Sequence, residues 1–483
     1  MILNLIFFIL LFSILLALFI QTQSKSFKIF SVTSSAIVLF LSTLLLVDFD
    51  YNASYFQHKV TYDLGDGILN TNLAFGLDGI SIFFFFLTAL LIFLCILFIW
   101  NERLFGEYVI SLFLIELLLL LVFSVLDVLL FYIFFEAILI PMFLIVGLWG
   151  SRARKIRAVY LLFFYTLVGS LLMLTGLVYI YSITGTLNLE YLLAYNFTQE
   201  EQYWLWLAFF LSFASKIPMF PLHVWLPEAH VEAPTVGSVL LAGILLKLGV
   251  YGFLRFSLTL FPDASLYFSP LVYLFSAFGV IYGSFSAIRQ TDLKRIIAYS
   301  SVAHMNLVTL GIFSFNIMGI EGSIVQSISH GFVSGAMFFL IGIIYDRYHT
   351  RGLSYYGGLV YVMPIYATLF VIFTMANIAL PGTSSFIGEF LLLAGIYLKN
   401  TVAAFFGAIG VILSGAYSLL LCNRILFGNL KVEYTKYFMD INLREFLILL
   451  PLLFFVIFMG VYPTFFMNYI HKSVSTWTTL IYL

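Results

Sequence analysis

Four ionisable residues lie inside long apolar stretches of this 483-residue chain, in which only 9% of all residues are charged. They are Glu136, Lys216, Lys247 and Glu389. An ionisable group deep in an apolar medium is costly and is therefore usually kept for function. Burial disfavours the charged form of such a group, whereas a nearby opposite charge restores it. Movement of one partner by a few ångströms would then load or unload a proton, which is the chemistry that a proton relay requires.

The same four residues are also compatible with two static buried ion pairs. Buried ion pairs seldom add enough stability to be kept for that reason alone. The relay is therefore the hypothesis that we favour.

Three histidines and one further acid are candidates to connect these sites. Imidazole titrates near neutrality, so His223, His304 and His330 are suited to carry protons between the buried residues. Each is equally compatible with a hydrogen-bonded core histidine. Glu116 lies in a neighbouring apolar stretch and is either a secondary relay residue or a paired structural acid.

Metal and cofactor sites receive no support from the sequence. Glu228, His230 and Glu232 resemble a metal cluster, but they lack a fourth ligand and we expect them in a solvated loop between helices. Cys95 and Cys422 are too far apart for an iron–sulfur cluster or a structural zinc site. Since no Gly-rich phosphate loop follows a strand, we expect no nucleotide or other cofactor on this chain.

The composition requires lipid around the protein, because 63% of the residues are hydrophobic. A soluble domain has about 25% charged residues, so a soluble enzyme, a nucleic-acid-binding protein and a disordered chain are excluded. The first apolar run, 2–20, has no basic segment before it and no small-residue cleavage site after it. We therefore expect a retained helix there and not a targeting peptide.

The apolar runs predict an all-α polytopic membrane protein with fourteen spans, since a bilayer crossing needs about 20 residues. Only the run 361–398 is too long for a single straight crossing. The predicted spans 1 to 14 are 2–20, 29–46, 80–100, 108–126, 128–149, 159–181, 204–226, 236–256, 266–288, 296–313, 324–345, 361–398, 402–426 and 446–466.

The basic residues support this count, because sixteen lie after odd-numbered spans and only four on the opposite side. The sixteen are Lys25, Lys28, Arg103, Arg152, Arg154, Lys155, Arg157, Arg289, Lys294, Arg295, Arg347, Arg351, Arg424, Lys431, Lys436 and Arg444; the four are Lys59, Arg255, Lys399 and Lys472. By the positive-inside rule both termini lie on the outer side of the membrane. The same rule accounts for the basic loop at 152–157 without nucleic acid.

Prolines predict breaks in spans 7 and 12, because proline removes a backbone donor and clashes with the preceding turn. Span 7 contains Pro218 and Pro221, and span 12 contains Leu380-Pro381-Gly382. The breaks are five spans apart, so spans 4–8 and 9–13 are predicted to be inverted repeats, as in ion translocators. Ordinary kinks in a structural bundle are the alternative.

The predicted units are 1–107 with spans 1–3, 108–258 and 259–428 with the two repeats, and 429–483 with span 14.

Several motifs around these residues are recognisable. KIPMFPLHVWLPEAHVEAP at 216–234 and LLKLG at 245–249 resemble the subunit 4 family of respiratory complex I, the proton-pumping NADH:ubiquinone oxidoreductase, whose bacterial counterpart is chain M. DLKRIIAYSSVAHM at 292–305, SHG at 329–331 and LPGTSSFIGEF at 380–390 are similar to the same family. The resemblance runs from about 76 to 462, and the first 75 residues carry almost none of it.

This resemblance implies an antiporter-like subunit in which Glu136, Lys216, Lys247 and Glu389 carry the pumping role. His223, His304 and His330 match the family's hydrated central axis. It further implies that FMN, the iron–sulfur clusters and the quinone are bound by other subunits, and that neighbouring antiporter-like subunits are the partners. The bias towards Phe, Ile, Leu and Tyr suits an inner mitochondrial membrane protein, with a bacterial plasma membrane as the alternative.

Two other functions compete with this one. The first is a Mrp-type cation/proton antiporter subunit, which would share the broken helices. The second is a scaffold without transport, which predicts that Lys216 and Glu389 can become apolar without loss of pumping.

Overall fold

The computed structural model describes residues 2–19, 24–62, 73–102, 104–431, 433–434 and 439–482, and these residues are mostly helical. The predicted end of span 1 at residue 20 and the basic residues Arg103 and Lys436 lie outside this part of the chain.

Among the described residues, eleven helices are long and apolar enough to cross a membrane, and they correspond to predicted spans 1–6, 8, 9, 11, 13 and 14. Their bounds are Ile2–Phe19, Lys25–Val47, Ser81–Asn101, Phe105–Ser124, Val128–Trp149, Lys155–Thr184, Thr235–Leu260, Ser269–Arg289, Ile317–Tyr348, Thr401–Leu426 and Leu443–Val461.

The other three predicted spans are helical but shorter or more polar. Span 7 consists of Gln199–Lys216 and Trp225–Glu232, and span 12 consists of Pro364–Asn377 and Ser384–Lys399, so both predicted breaks are present. Span 10, Leu293–Ile312, contains several buried polar side chains. The helical membrane fold is therefore confirmed, while the inverted relation of spans 4–8 to spans 9–13 stays a prediction.

Span 5 has a break that the sequence analysis did not predict. It divides at Ile138 into Val128–Ala137 and Leu139–Trp149. Pro141 has no N–H to donate to the carbonyl of Ala137, which weakens the helix at this turn. The break therefore directly follows Glu136.

Span 8 contains two π-helical turns, Leu241–Leu245 and Phe253–Ser257. They flank the α-helical segment Leu246–Gly252, which carries Lys247. Such turns often occur at functional sites because they displace one residue from the regular ladder of hydrogen bonds. The remaining segments of this span are Thr235–Leu240 and Leu258–Leu260.

Spans 8 and 11 form the centre of the molecule, because the apolar windows of both are completely buried. Spans 1, 2, 6 and 13 expose much of their apolar surface, as expected of helices that face lipid. Lys247 and His330, on the two central spans, are therefore shielded from lipid by surrounding helices.

Short elements cover the ends of the spans. The strands Gln57–Tyr62 and Leu73–Leu77 form an antiparallel hairpin, with Val60 opposite Phe75 and Tyr62 opposite Leu73. The other short elements are the helices Leu189–Ala194 and Pro262–Tyr267 and the 3-10 turns Leu353–Tyr355 and Leu359–Tyr361.

The C-terminal helix, Thr464–Tyr482, was not predicted from the sequence. It is amphipathic and not apolar throughout: Phe466, Ile470 and Val474 recur every four residues and are buried, while His471 and Lys472 are exposed. A helix with one apolar stripe has no continuous apolar run, and for that reason a search for apolar runs overlooked it.

Candidate functional site

Glu136 and Lys216 form a buried pair where two broken spans meet. Lys216 Nζ lies 3.8 Å from Glu136 Oε1, with the side chains 4% and 15% exposed. The same ammonium nitrogen lies 4.3 Å from the centre of the Phe135 ring, an arrangement that stabilises a cation. The pair is thus close enough for strong attraction but is longer than a hydrogen bond.

The break in span 7 explains the position of Lys216. This lysine is the last residue of Gln199–Lys216, where the carbonyl groups at the helix end attract a cation. Two of the freed carbonyls are satisfied by side chains: Ser215 O accepts from Trp225 Nε1 at 2.8 Å, and Pro218 O accepts from Asn306 Nδ2 at 3.2 Å. The broken segment is therefore fixed by neighbouring protein and is not a loose loop.

Lys247 and His330 form the second part of the site. Lys247 Nζ lies 2.8 Å from His330 Nδ1 and 2.5 Å from Ala242 O, and the lysine is completely buried. His330 Nε2 lies 3.1 Å from Ser301 Oγ. When the lysine is charged, Nδ1 of the imidazole must accept, which leaves Nε2–H to donate to the serine.

His304 and Glu389 form the third part. His304 Nδ1 lies 3.1 Å from Glu389 Oε1, which also accepts from Gln326 Nε2 at 3.0 Å. On the other side of the ring, His304 Nε2 lies 3.1 Å from the hydroxyl of Tyr417. The rings of His304 and His330 are 5.9 Å apart. Lys247, His330, His304 and Glu389 thus follow one another along a buried polar line.

Two predicted residues do not join this line. His223 follows the span-7 break and packs beside Phe220 and Tyr282, without a hydrogen-bond partner for Nδ1 among the described residues. Glu116 is completely buried, and within the described chain neither of its carboxylate oxygens has a partner. In the same part of the chain, no hydrogen bond links the Glu136–Lys216 pair to Lys247.

The expectation of a solvated loop at 228–232 is wrong for two of its three polar residues. The segment belongs to the helix Trp225–Glu232, in which His230 is completely buried and Glu232 nearly so. Only Glu228 is partly exposed, and it pairs with Arg295 at 2.7 Å. The helix is buried because it completes span 7 beyond the break, inside the bundle. Proximity to that break was the signal that could have identified His230.

Lys294 was expected in a loop but is buried in the first turn of span 10. Its Nζ donates to Ala233 O at 2.8 Å and lies 3.4 Å from Ser238 Oγ, whose hydroxyl donates to His230 O at 3.0 Å. Beside it lies a cavity of about 120 Å³, and since a water needs only about 15 Å³ of such space, several waters fit. Its polar lining comes from Glu102, Ser151, Thr235, Lys294, Asp346 and Arg351.

Both nitrogens of His230 lack a hydrogen-bond partner among the described residues, while its ring stacks on Phe338 at 4.8 Å. Its carbonyl oxygen accepts from Ser238 Oγ, which also lies 3.4 Å from Lys294 Nζ. His230 therefore lies beside the polar groups around Lys294, a position that sequence reasoning missed.

Arg255 was expected at the outer end of span 8, and the structure buries it there. Its guanidinium donates to Asp78 Oδ1 at 2.6 Å and stacks on the rings of Phe56 and Trp477. The short distance and the aromatic contacts on several sides indicate a fixed structural pair, in contrast to the longer Glu136–Lys216 pair.

Comparisons with known proteins agree on one family. Residues 125–414 match the model of the NADH:quinone oxidoreductase/Mrp antiporter membrane family. The chain is 52% identical to NADH-ubiquinone oxidoreductase chain 4 of Chondrus crispus over 95% of this chain and 94% of that protein. It is 51% identical to the chain 4 protein of Arabidopsis thaliana over 96% of this chain and 94% of that protein.

A solved structure shares the fold. A chain of respiratory complex I from Thermus thermophilus with bound NADH superposes with a TM-score of 0.91 at 32% identity, with all of both chains covered. The alignment with the Chondrus protein covers 95% of this chain and therefore extends into its first 75 residues.

Proposed function

The chain belongs to the NADH:quinone oxidoreductase/Mrp antiporter family and, within it, to the chain 4 subunits of NADH-ubiquinone oxidoreductase, and we propose that its buried ionisable residues relay protons through the membrane. It is an antiporter-like membrane subunit of respiratory complex I, a multi-subunit enzyme that oxidises NADH and reduces ubiquinone. The chain 4 relatives favour this assignment over a Mrp-type antiporter.

The observation that carries the proposal is the buried line from Lys247 through His330 and His304 to Glu389. Each imidazole along it has two nitrogens, so it can accept a proton on one side and donate one on the other. The 5.9 Å between the two imidazole rings is a gap that one water or a small ring movement closes. A proton can therefore pass from lysine to carboxylate without crossing apolar surface.

The Glu136–Lys216 pair is the switch in this proposal. At an effective dielectric constant near 20, two charges about 4 Å apart attract by about 4 kcal/mol. Moving one charge against the membrane potential takes about 2.3 kcal/mol per 100 mV. Opening or closing one such pair is therefore sufficient to move one proton uphill.

We further propose that protons reach the line from the side of Lys294. The cavity beside Lys294 holds polar groups from five segments of the chain. We place His230, whose carbonyl accepts from the Ser238 hydroxyl beside Lys294, on the way from this cavity to Lys247. By the positive-inside rule this is the inner side of the membrane. His223 and Glu116 remain secondary candidates, which need bound water to reach the relay.

The finer organisation is part of the same proposal. We place the chain in the inner mitochondrial membrane with both termini on the outer side. Residues 108–258 and 259–428 form the two inverted units, and 1–107 and 429–483 flank them. Neighbouring antiporter-like subunits are the proposed direct partners, while FMN, the iron–sulfur clusters and quinone are assigned to other subunits.

Replacement of Lys216 in the assembled complex tests the relay. Lys216→Met removes the titrating group but keeps an unbranched apolar side chain, so assembly and bound redox centres should persist while proton pumping and coupled NADH:quinone turnover fall. Lys399→Met is the matched control, because Lys399 is exposed at the end of span 12. Normal proton-to-electron ratios in the assembled Lys216→Met complex would support the scaffold instead.

A further inference from the structure

A groove runs along the seam between span 6 and the first half of span 7, outside the proposed relay. It consists of two adjoining hollows of about 660 and 300 Å³, which share Leu172 and Leu211. The larger hollow begins at Thr198, just before the start of the helix Gln199–Lys216, and the smaller one ends at Ser215. The groove therefore follows nearly the whole length of this half-span.

Small residues keep the floor of the groove shallow. A Cβ atom at Gly169 would lie 2.8 Å from Leu211 O, and one at Gly176 would lie 3.4 Å from the side chains of Leu205 and Phe209. The two helices are thus in close contact beneath the groove. The groove is therefore an elongated hollow over a tight contact between two helices.

The two ends of the groove differ in polarity. Glu200, Glu201 and Trp204 line the mouth, and Glu200 and Trp204 are exposed. The smaller hollow is lined almost entirely by apolar side chains, among them Val168 and Leu222. None of the described residues that line either hollow is basic. An amphiphile whose headgroup ends in an ammonium group and whose tail is apolar matches this distribution of charge.

We propose that this groove binds a phospholipid with a primary-amine headgroup, a phosphatidylethanolamine, with one acyl chain along the seam. The ammonium group carries three N–H donors for the two carboxylates at the mouth. Phosphatidylcholine has no such donor, and an anionic lipid is repelled by Glu200 and Glu201. Exposed tryptophan at the mouth is typical of the level at which headgroups lie.

The bound chain has a specific consequence for the interior. The smaller hollow is lined in part by Ser215, the residue before Lys216, and by Gly169. A Cβ atom at Gly169 would lie 2.9 Å from Ser215 Oγ, so the two residues meet across the seam. An acyl chain in the groove therefore excludes water on the lipid side of the Glu136–Lys216 pair. This exclusion of water is independent of the direction in which protons move.

Photolabelling of the intact complex tests the proposal. The purified complex is exchanged into vesicles that contain phosphatidylethanolamine, phosphatidylcholine or phosphatidylglycerol, each with a photoreactive diazirine at the acyl end. We expect the ethanolamine lipid to label 164–172 and 211–222 about fivefold more than the other two lipids, which corresponds to an ion-pair contribution of about 1 kcal/mol. Glu200→Gln should reduce this preference.

Two tryptophan variants provide the control. Leu172→Trp fills the point that both hollows share, whereas Leu171→Trp adds the same bulk to an exposed neighbour outside the groove. Labelling should be lost in Leu172→Trp and kept in Leu171→Trp. Equal labelling by all three lipids, equal loss in both variants, or crosslinks from Leu172 to another subunit would each overturn the proposal.

Discussion

Lys216 Nζ and Glu136 Oε1 are 3.8 Å apart, where two independently broken helices end side by side. The buried Arg255–Asp78 pair, by contrast, has a 2.6 Å contact and rings around the guanidinium. The first pair lies at two helix ends and is longer than a hydrogen bond, whereas the second is a short contact held by packing. This difference separates a switch from a structural ion pair in the same chain.

Coupling between Glu136 and Lys216 is the first prediction. Removal of either partner should cost nearly as much coupled turnover as removal of both, because a relay acts as a unit. Glu136→Gln, Lys216→Met and the double variant are compared in the assembled complex by NADH:quinone turnover and proton pumping. If the logarithms of the turnover losses in the two single variants add up to the logarithm of the loss in the double variant, the two residues act independently.

The second prediction concerns the end of the relay at Glu389. Glu389→Gln keeps the shape of the side chain but removes its proton affinity, so pumping should be lost. Tyr417→Phe removes one hydrogen bond to His304 Nε2 and should reduce coupled turnover only about fivefold. If Tyr417→Phe proved the more severe of the two, Glu389 would not be a proton carrier.

Proton access beside Lys294 gives the third prediction. Lys294→Met removes one of the two buried cations that line the polar cavity and should slow proton uptake, whereas Lys294→Arg should retain a large part of the uptake. Arg295→Met is the control, since Arg295 pairs with the partly exposed Glu228 and does not line the cavity. The measurement is the rate of proton pumping by the complex in sealed vesicles. Equal rates in Lys294→Met and Arg295→Met would exclude this route.

Membrane orientation is the fourth prediction, and the chain is well suited to a labelling experiment because Cys95 and Cys422 are both buried. Lys472→Cys in the C-terminal helix should react with an impermeant thiol reagent from the outer side only. Arg154→Cys, in the exposed loop after span 5, should react from the inner side only. Reaction of both cysteines from one side would contradict the fourteen-span arrangement.

The fifth prediction concerns stability around Arg255. Arg255→Met leaves Asp78 buried without its partner, which should destabilise the subunit by about 3–5 kcal/mol. The double variant Arg255→Met, Asp78→Asn removes the unpaired charge and should recover part of this loss. Assembly of the complex and its thermal unfolding midpoint are the measurements. A double variant as unstable as Arg255→Met would show that the aromatic contacts matter and the ion pair does not.

Much of the fold is determined by the sequence alone, because a lipid bilayer restricts the backbone conformations that can cross it. Backbone groups in a bilayer must be satisfied within each helix, so apolar length predicts the spans and proline predicts the breaks at Pro218 and Pro381. The four buried ionisable residues were identified for the same reason, since any charge inside an apolar run stands out. Composition also excluded a soluble protein before any contact was known.

Only the tertiary structure decided which charges face each other and which polar residues are buried. His230 and Lys294 lie in segments that are polar enough to resemble loops, and they are buried because the second half of span 7 folds back into the bundle. The C-terminal helix escaped prediction because an amphipathic helix leaves no long apolar run, and the burial of Arg255 depends on its pairing with the distant Asp78. Burial of a polar side chain depends on partners far away in sequence, and hydropathy along the chain contains no information about them.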